Sequence, residues 1–324
     1  MLSSYNRARL LLMASAIVCF CVFWWMGRLA RIPLNPGYED RLLQQPSPLT
    51  ALLFVAVAMI GCTALGTAVA GMIRFNAGLM VACLGLSALS IRSGPTRYTI
   101  WWGMSHGSDP AQVYSRLLFE SVLLTVLIAV CWWALRVLYA MGVIRDRESR
   151  RSEPQPQAPQ TPRLKFGRED APPAPRSDLS AALMETGALA GQLLFTLLLI
   201  MFIGTSQAKL QVLAAVFLGS FLGPVLRGFI SHTGGEGLRW LAGEENDAKG
   251  WYWLPPLLAG MIGYAIAANH PAGADVGHLT GTFAALARPL PLDYASLGTA
   301  GAILGHWTSR RWARQRQQEQ AAGS

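Results

Sequence analysis

Charge is scarce in this chain. Asp, Glu, Lys and Arg occupy 14% of its 324 positions, where an ordinary soluble domain holds about 25%. The shortage is uneven, because long stretches carry no ionic residue and the charges gather between them. That layout excludes a soluble globular core and prescribes membrane spans joined by loops. Cysteine adds no framework. Cys19, Cys21, Cys62, Cys83 and Cys131 all fall inside apolar stretches, and no spacing among them suits a disulfide set or a paired metal-ligand motif. They read as small buried hydrophobes.

Catalytic signatures are missing as well. There is no HExxH, and the glycine-rich HTGGEG at 232–237 lacks the Lys-Ser/Thr of a phosphate-binding loop. No carboxylate falls at the middle of an apolar stretch, which removes the usual intramembrane proton carrier. Ser87 in GLSALS is expected near the outer end of its span and His306 in GHWTS near the inner end of its own, too far apart for a nucleophile and its base. The chain is therefore read as a non-enzyme without a cofactor, and its motifs assign no metal.

What is present is apolar sequence, 52% of the chain. Eight blocks stand out at about 10–27, 51–73, 75–91, 117–143, 186–208, 210–226, 251–268 and 289–307. The expected fold is all-α, a polytopic membrane protein of about eight transmembrane helices. The first block exceeds the apolar core of a signal peptide and ends in Trp24 and Trp25, so it is read as a retained span. From Leu52 to Ile91 only Arg74 is charged, and from Thr186 to Leu226 only Lys209. Each of these stretches is too long for one span and is expected to fold as a helical hairpin.

The net charge of +9 does not point to nucleic acid, because the cations flank apolar blocks, where they set orientation. With the N-terminus inside, 18 of the 27 Lys and Arg fall on inner segments and 8 on outer ones, with Arg136 within a span. Both termini are thereby expected in the cytoplasm, of a bacterial inner membrane on the chain's compactness. Residues 1–143 form a first four-span half, and 181–308 a second. Between them, 144–180 is a proline-rich cytoplasmic linker whose composition cannot bury enough apolar surface to order itself. It is the candidate contact for a cytoplasmic protein partner, besides the lipid bilayer that holds the spans. A basic cytoplasmic tail, 309–324, closes the chain; nothing in the sequence fixes the oligomeric state.

The two hairpins invite comparison. Each has a long helix, a cation at Arg74 or Lys209, and a 17-residue block closed by Arg92 or Arg227. Seventeen residues reach only about 25 Å, short of a hydrocarbon layer of about 30 Å. Matching short spans with glycine and proline suggest a 1+3+3+1 inverted repeat, as in secondary transporters. The candidate cavity residues are Asn76, Ser87, Gln192, Gln211 and Ser220. A second, outer-face polar group comprises His106 and Asp109 in one loop and His270, Asp275 and His278 in another. The GxxxG spacings GALAG (187–191), GSFLG (219–223) and GAILG (301–305) predict close helix packing. The functional expectation is a transporter-like protein for a small solute; the alternative is a non-catalytic scaffold or subunit of a membrane complex.

Single cysteines placed in a cysteine-free background test the orientation. Positions 160 and 320 should be shielded from an impermeant thiol reagent in intact cells, whereas positions 40 and 275 should label. Labelling at 160 reverses the assignment.

Overall fold

The structure, a computed structural model, describes residues 4–29, 48–70, 74, 76–93, 105, 107–142, 178–204, 208–233, 251–269 and 284–323. Every regular element among them is helical. Helices α1 (Ser4–Leu29), α2 (Pro48–Ala70), α3 (Ala77–Arg92) and α4 (Pro110–Ala140) make up the first half. Helices α5 (Asp178–Ile203), α6 (Lys209–Thr233) and α7 (Pro255–Asn269) follow. The last segment is interrupted: α8 (Ala284–Ala287), α9 (Pro291–Asp293), a π-helical turn at Tyr294–Gly298, then α10 (Thr299–Gly323).

Among the described residues, four helices are long and apolar enough to cross a membrane, at Leu49–Val69, Pro110–Ala140, Thr186–Ile203 and Lys209–Phe229. Arg9–Trp25 and Ala77–Arg92 are shorter apolar helices. Large apolar side chains such as Val57, Trp133, Leu198 and Phe202 point outward, Phe202 with 83% of its surface exposed. This is a protein whose helix exteriors are built for lipid rather than water.

Both hairpins form where the lone charges placed them. Where α2 meets α3, a Cβ on Gly66 would stand 2.9 Å from the Gly78 Cα. The second hairpin packs Gly219 and Gly223 against Ile200 and Thr196. Helix α1 lies along α3 in the same sense, with Cys19 beside Gly85 and Arg92 Nη1 donating to the Trp24 carbonyl at 2.8 Å. Helix α10 lies along α6 in the same sense, Gly301 meeting Phe217 and Gly305 meeting Phe221. Gly187 and Gly191, of the first GxxxG spacing, are only partly buried.

The expected 17-residue span at 210–226 requires correction, because α6 runs for 25 residues through Pro224 and Arg227. At about 1.5 Å per residue that is about 37 Å, enough to cross a bilayer. Pro224 frees only one carbonyl, four residues back. Arg227 does not end the helix; it is half-buried against α5, its Nη1 donating to Gln192 Oε1 at 3.4 Å. Helix α3, with 16 residues, remains short. The two hairpins are thus unequal, and the resemblance in cation spacing does not extend to helix length.

The glycine contacts on α10 and α2 make opposite predictions. Gly305→Ala would drive a methyl group into the Phe221 carbonyl and backbone, costing about 1–3 kcal/mol by overpacking. Gly61→Ala meets nothing within 4 Å on exposed α2 and should gain about 0.5–1 kcal/mol through helix propensity. Thermal unfolding of the detergent-solubilised protein separates the two.

Candidate functional site

Two polar centres lie toward opposite ends of the helix bundle. The first is built on Asp293. Pro291 starts a single helical turn, and Asp293 at its end bends back so that its Oδ2 accepts from the Leu290 N–H at 2.8 Å. Lys209, the first residue of α6, donates from Nζ to Oδ1 at 2.8 Å and to Oδ2 at 2.9 Å. Ser90, in the last turn of α3, donates to Oδ1 at 2.6 Å. The carboxylate is completely buried and the lysine 14% exposed. Three segments, widely separated in the chain, converge on this one carboxylate.

The break in the last segment is held by side chains. Tyr294 OH donates to the Leu286 carbonyl at 2.8 Å, and Tyr264 OH donates to that of Pro289. Arg288 Nη1 donates to the Gly204 carbonyl at 2.5 Å. The two tyrosine rings meet edge to face, 6.4 Å apart. Space for the break comes from α7, where a Cβ on Gly260 would stand 2.5 Å from the Tyr294 ring and one on Gly263 2.6 Å from the Leu286 carbonyl. Irregular backbone survives within a bundle only when its freed carbonyls find donors of this kind.

The second centre is built on Tyr252, in the turn before α7. Asn76 Nδ2 donates to the Tyr252 hydroxyl, and Gln192 Nε2 donates to the Tyr252 carbonyl at 2.7 Å. The Tyr252 ring stacks on His306 with centroids 3.9 Å apart and planes 7° from parallel. Arg227 reaches Gln192 from α6, and the Arg74 guanidinium lies 5.0 Å over the Trp307 ring. Beside it, Trp132, Trp251 and Trp253 pack together at 4.8–5.9 Å.

The structure distributes the expected site residues between these places. Asn76 and Gln192 come together on Tyr252. Ser87 is buried but donates to the Leu84 carbonyl of its own helix at 2.6 Å. Ser220 is completely buried in α6, and Gln211 is exposed near the opposite end of that helix. The five therefore do not line one cavity. Asp109 caps α4, its Oδ1 accepting from the Ala111 N–H at 3.2 Å, which is a helix-starting role. His106, His270, Asp275 and His278 lie outside the described residues, as does most of the 144–180 linker. Among the described residues no group of three or more His, Cys, Asp or Glu could hold a metal ion.

Sequence reasoning missed the meeting of Lys209, Ser90 and Asp293. The one local signal was an aspartate directly after RPLPL inside an apolar block, where an unpaired charge would be costly. It also missed Tyr252 as a hub, since nothing marks an interfacial tyrosine as a hydrogen-bond centre. No protein-family model matches this chain, and no curated protein or solved structure matches it.

The ion pair can be tested without any ligand. Lys209→Met leaves the Asp293 carboxylate buried without its counter-charge, and Asp293→Leu strands the lysine; each should cost about 3–5 kcal/mol. The double variant should recover most of that loss. Additive losses, measured by denaturant unfolding in micelles, would show that the two side chains do not act as a pair.

Proposed function

We propose that this chain is a multi-pass membrane transporter for a small solute and not an enzyme. The observation that carries the reading is the Lys209–Asp293 pair, its carboxylate fully buried, seated on a broken helix. Charges deep in a membrane protein are expensive, and they are retained chiefly on solute or ion pathways. Discontinuous helices in transporters place such groups where irregular backbone can meet a substrate.

The arrangement of eight spans is part of the proposal. Contacts among the described helices support it: α1, α3, α5 and α7 run in one sense, and α2, α4, α6 and the 291–323 segment in the other. The parallel pairs α1–α3 and α6–α10 support an inverted 1+3+3+1 relation between the halves. Charge supports the orientation. Among the described side chains, Arg9, Arg74, Arg136, Arg227, Arg310, Arg311 and Arg316 lie toward the His306 end, where Glu319 in the tail is the acidic one, against Arg92, Arg116, Lys209 and Arg288 toward the other. Asp109, Glu120 and Asp293 lie toward the other end. The basic end would face the cytoplasm of a bacterial inner membrane, with both termini and the 144–180 linker on that side. A scaffold or complex subunit would account for the glycine seam between α6 and α10, but gives no reason to bury an ion pair.

The test is uptake into proteoliposomes of radiolabelled amino acids, monosaccharides and short-chain carboxylates, class by class. The expected result is saturable uptake of one class, reduced at least tenfold by Asp293→Asn in protein that still folds. Uptake no faster than in protein-free vesicles, for every class, overturns the proposal.

A further inference from the structure

Arg227 is half-buried on α6, facing Gln192 of α5, and among the described residues no carboxylate lies against it. Its Nε is buried without an acceptor, and among the described residues its one hydrogen bond is the 3.4 Å contact to the neutral Gln192 amide. A guanidinium whose Nε is shut off from water gains from counter-charge and further in-plane acceptors, and one long bond to an amide oxygen supplies no charge and leaves Nε unmet. Of the carboxylates whose side chains are described, Asp109, Glu120 and Asp293 belong to the opposite end of the bundle, and Glu319 is exposed in the tail.

Further hydroxyls within two turns of it lack partners among the described residues. Thr196, one turn from Gln192 on the same face of α5, is completely buried, and its Oγ1 has no hydrogen-bond partner. That hydroxyl sits where a Cβ on Gly223 would be 2.7 Å away, about one turn of α6 from Arg227. Ser220, two turns from Arg227 on α6, is also completely buried and its hydroxyl is unpartnered. Gln192 is fixed in orientation, because its Nε2 is committed to the Tyr252 carbonyl at 2.7 Å and its Oε1 therefore faces Arg227. The unmet capacity in this region thus includes one cation and two hydroxyls, which together match an oxyanion.

We propose that the α5–α6 interface around Arg227, Gln192 and Thr196 is a binding site for a small oxyanion, a phosphate or carboxylate group entering from the basic end of the bundle. Arg227 supplies the charge and its Nε and Nη donors. Thr196 and Ser220 supply neutral donors, and Gln192 holds the guanidinium in place. The same chemistry is offered by a free anion and by an anionic lipid headgroup. The site stands on equilibrium binding, so it is independent of whether the chain transports anything.

The experiment uses the full chain in phosphatidylcholine nanodiscs, followed by thermal unfolding through intrinsic tryptophan fluorescence. Inorganic phosphate and succinate are titrated against chloride at matched ionic strength. Binding should raise Tm saturably, by about 5 °C at a hundredfold excess over Kd. Arg227→Gln should abolish the shift. Should that variant fail to fold, Thr196→Val carries the test: removing an unpartnered hydroxyl should leave the anion-free Tm unchanged or higher, yet weaken anion binding several-fold. Nanodiscs with one-fifth phosphatidylglycerol distinguish the sources. A raised starting Tm that soluble anions no longer increase assigns the site to a lipid headgroup, whereas an unchanged response assigns it to a free anion. No shift from phosphate, succinate or phosphatidylglycerol, or a shift that survives both substitutions, overturns the site. Anion binding without uptake in proteoliposomes overturns the transport proposal alone.

Discussion

Within hydrocarbon, a backbone or side-chain polar group that lacks a partner inside the protein has none at all. The interior of this bundle is organised around that constraint. Helices satisfy their own backbones, so long apolar stretches cost nothing to bury. The broken segment between Ala287 and Thr299 cannot do this. Leu286 and Pro289 present carbonyls that the helix no longer uses, and Tyr294 and Tyr264 donate to them. The tyrosines can approach because Gly260 and Gly263 on α7 have no side chains in the way. A pair of glycines and a pair of aromatic hydroxyls thereby allow a non-helical stretch to sit in the core, and that stretch delivers Asp293 to Lys209 and Ser90.

The same constraint explains why charge is divided between the two ends. Toward one end an acid and a base neutralise each other, with Ser90 and the Leu290 N–H completing the carboxylate's shell. Toward the other, cations are disposed of by different means. Arg74 lies over Trp307 and Arg136 over Trp132, positions that let a guanidinium keep an aromatic neighbour while its tip reaches the surface. Arg227 departs from this pattern, since it has a neutral amide in place of an aromatic face or an acid. Its neighbours on α5 and α6 are small or hydroxylated, a combination that leaves donors rather than acceptors around a positive charge.

Much of the architecture was legible in the sequence, because hydrophobicity and loop charge are local properties. The lone cations Arg74 and Lys209 located both hairpins, and Pro255–Pro256 started α7 where helix-initiating prolines belong. GSFLG and GAILG gave the close approaches of α6 to α5 and to α10. Helix length at 210–226 departs from the sequence expectation for a specific reason: Arg227 looks like a boundary, but a cation at a helix end and one half-buried along a continuing helix are identical in sequence. Only the position of Gln192, 35 residues earlier, tells them apart. The sites were less legible still. Asn76 and Gln192 were singled out for being amides inside apolar blocks, and both are buried and bonded. Their shared partner, Tyr252, could not be inferred, since it is joined to Asn76 across 176 residues of chain.

Both centres take a residue from α6. Lys209 is its first residue and Arg227 lies five turns along it, in a helix packed by glycine against both α5 and α10. Such contacts permit sliding or rocking more readily than interdigitated large side chains, because few atoms must be displaced when backbones pass one another. The α10 side of this seam joins the π-helical turn that carries Asp293 into the core, and π-turns mark places where a helix changes register. A small displacement of α6 along its axis would lengthen the Lys209–Asp293 bonds and shift Arg227 against Gln192 together. Both ends of the bundle thus depend on the placement of one element, the helix whose continuity past Pro224 the sequence concealed.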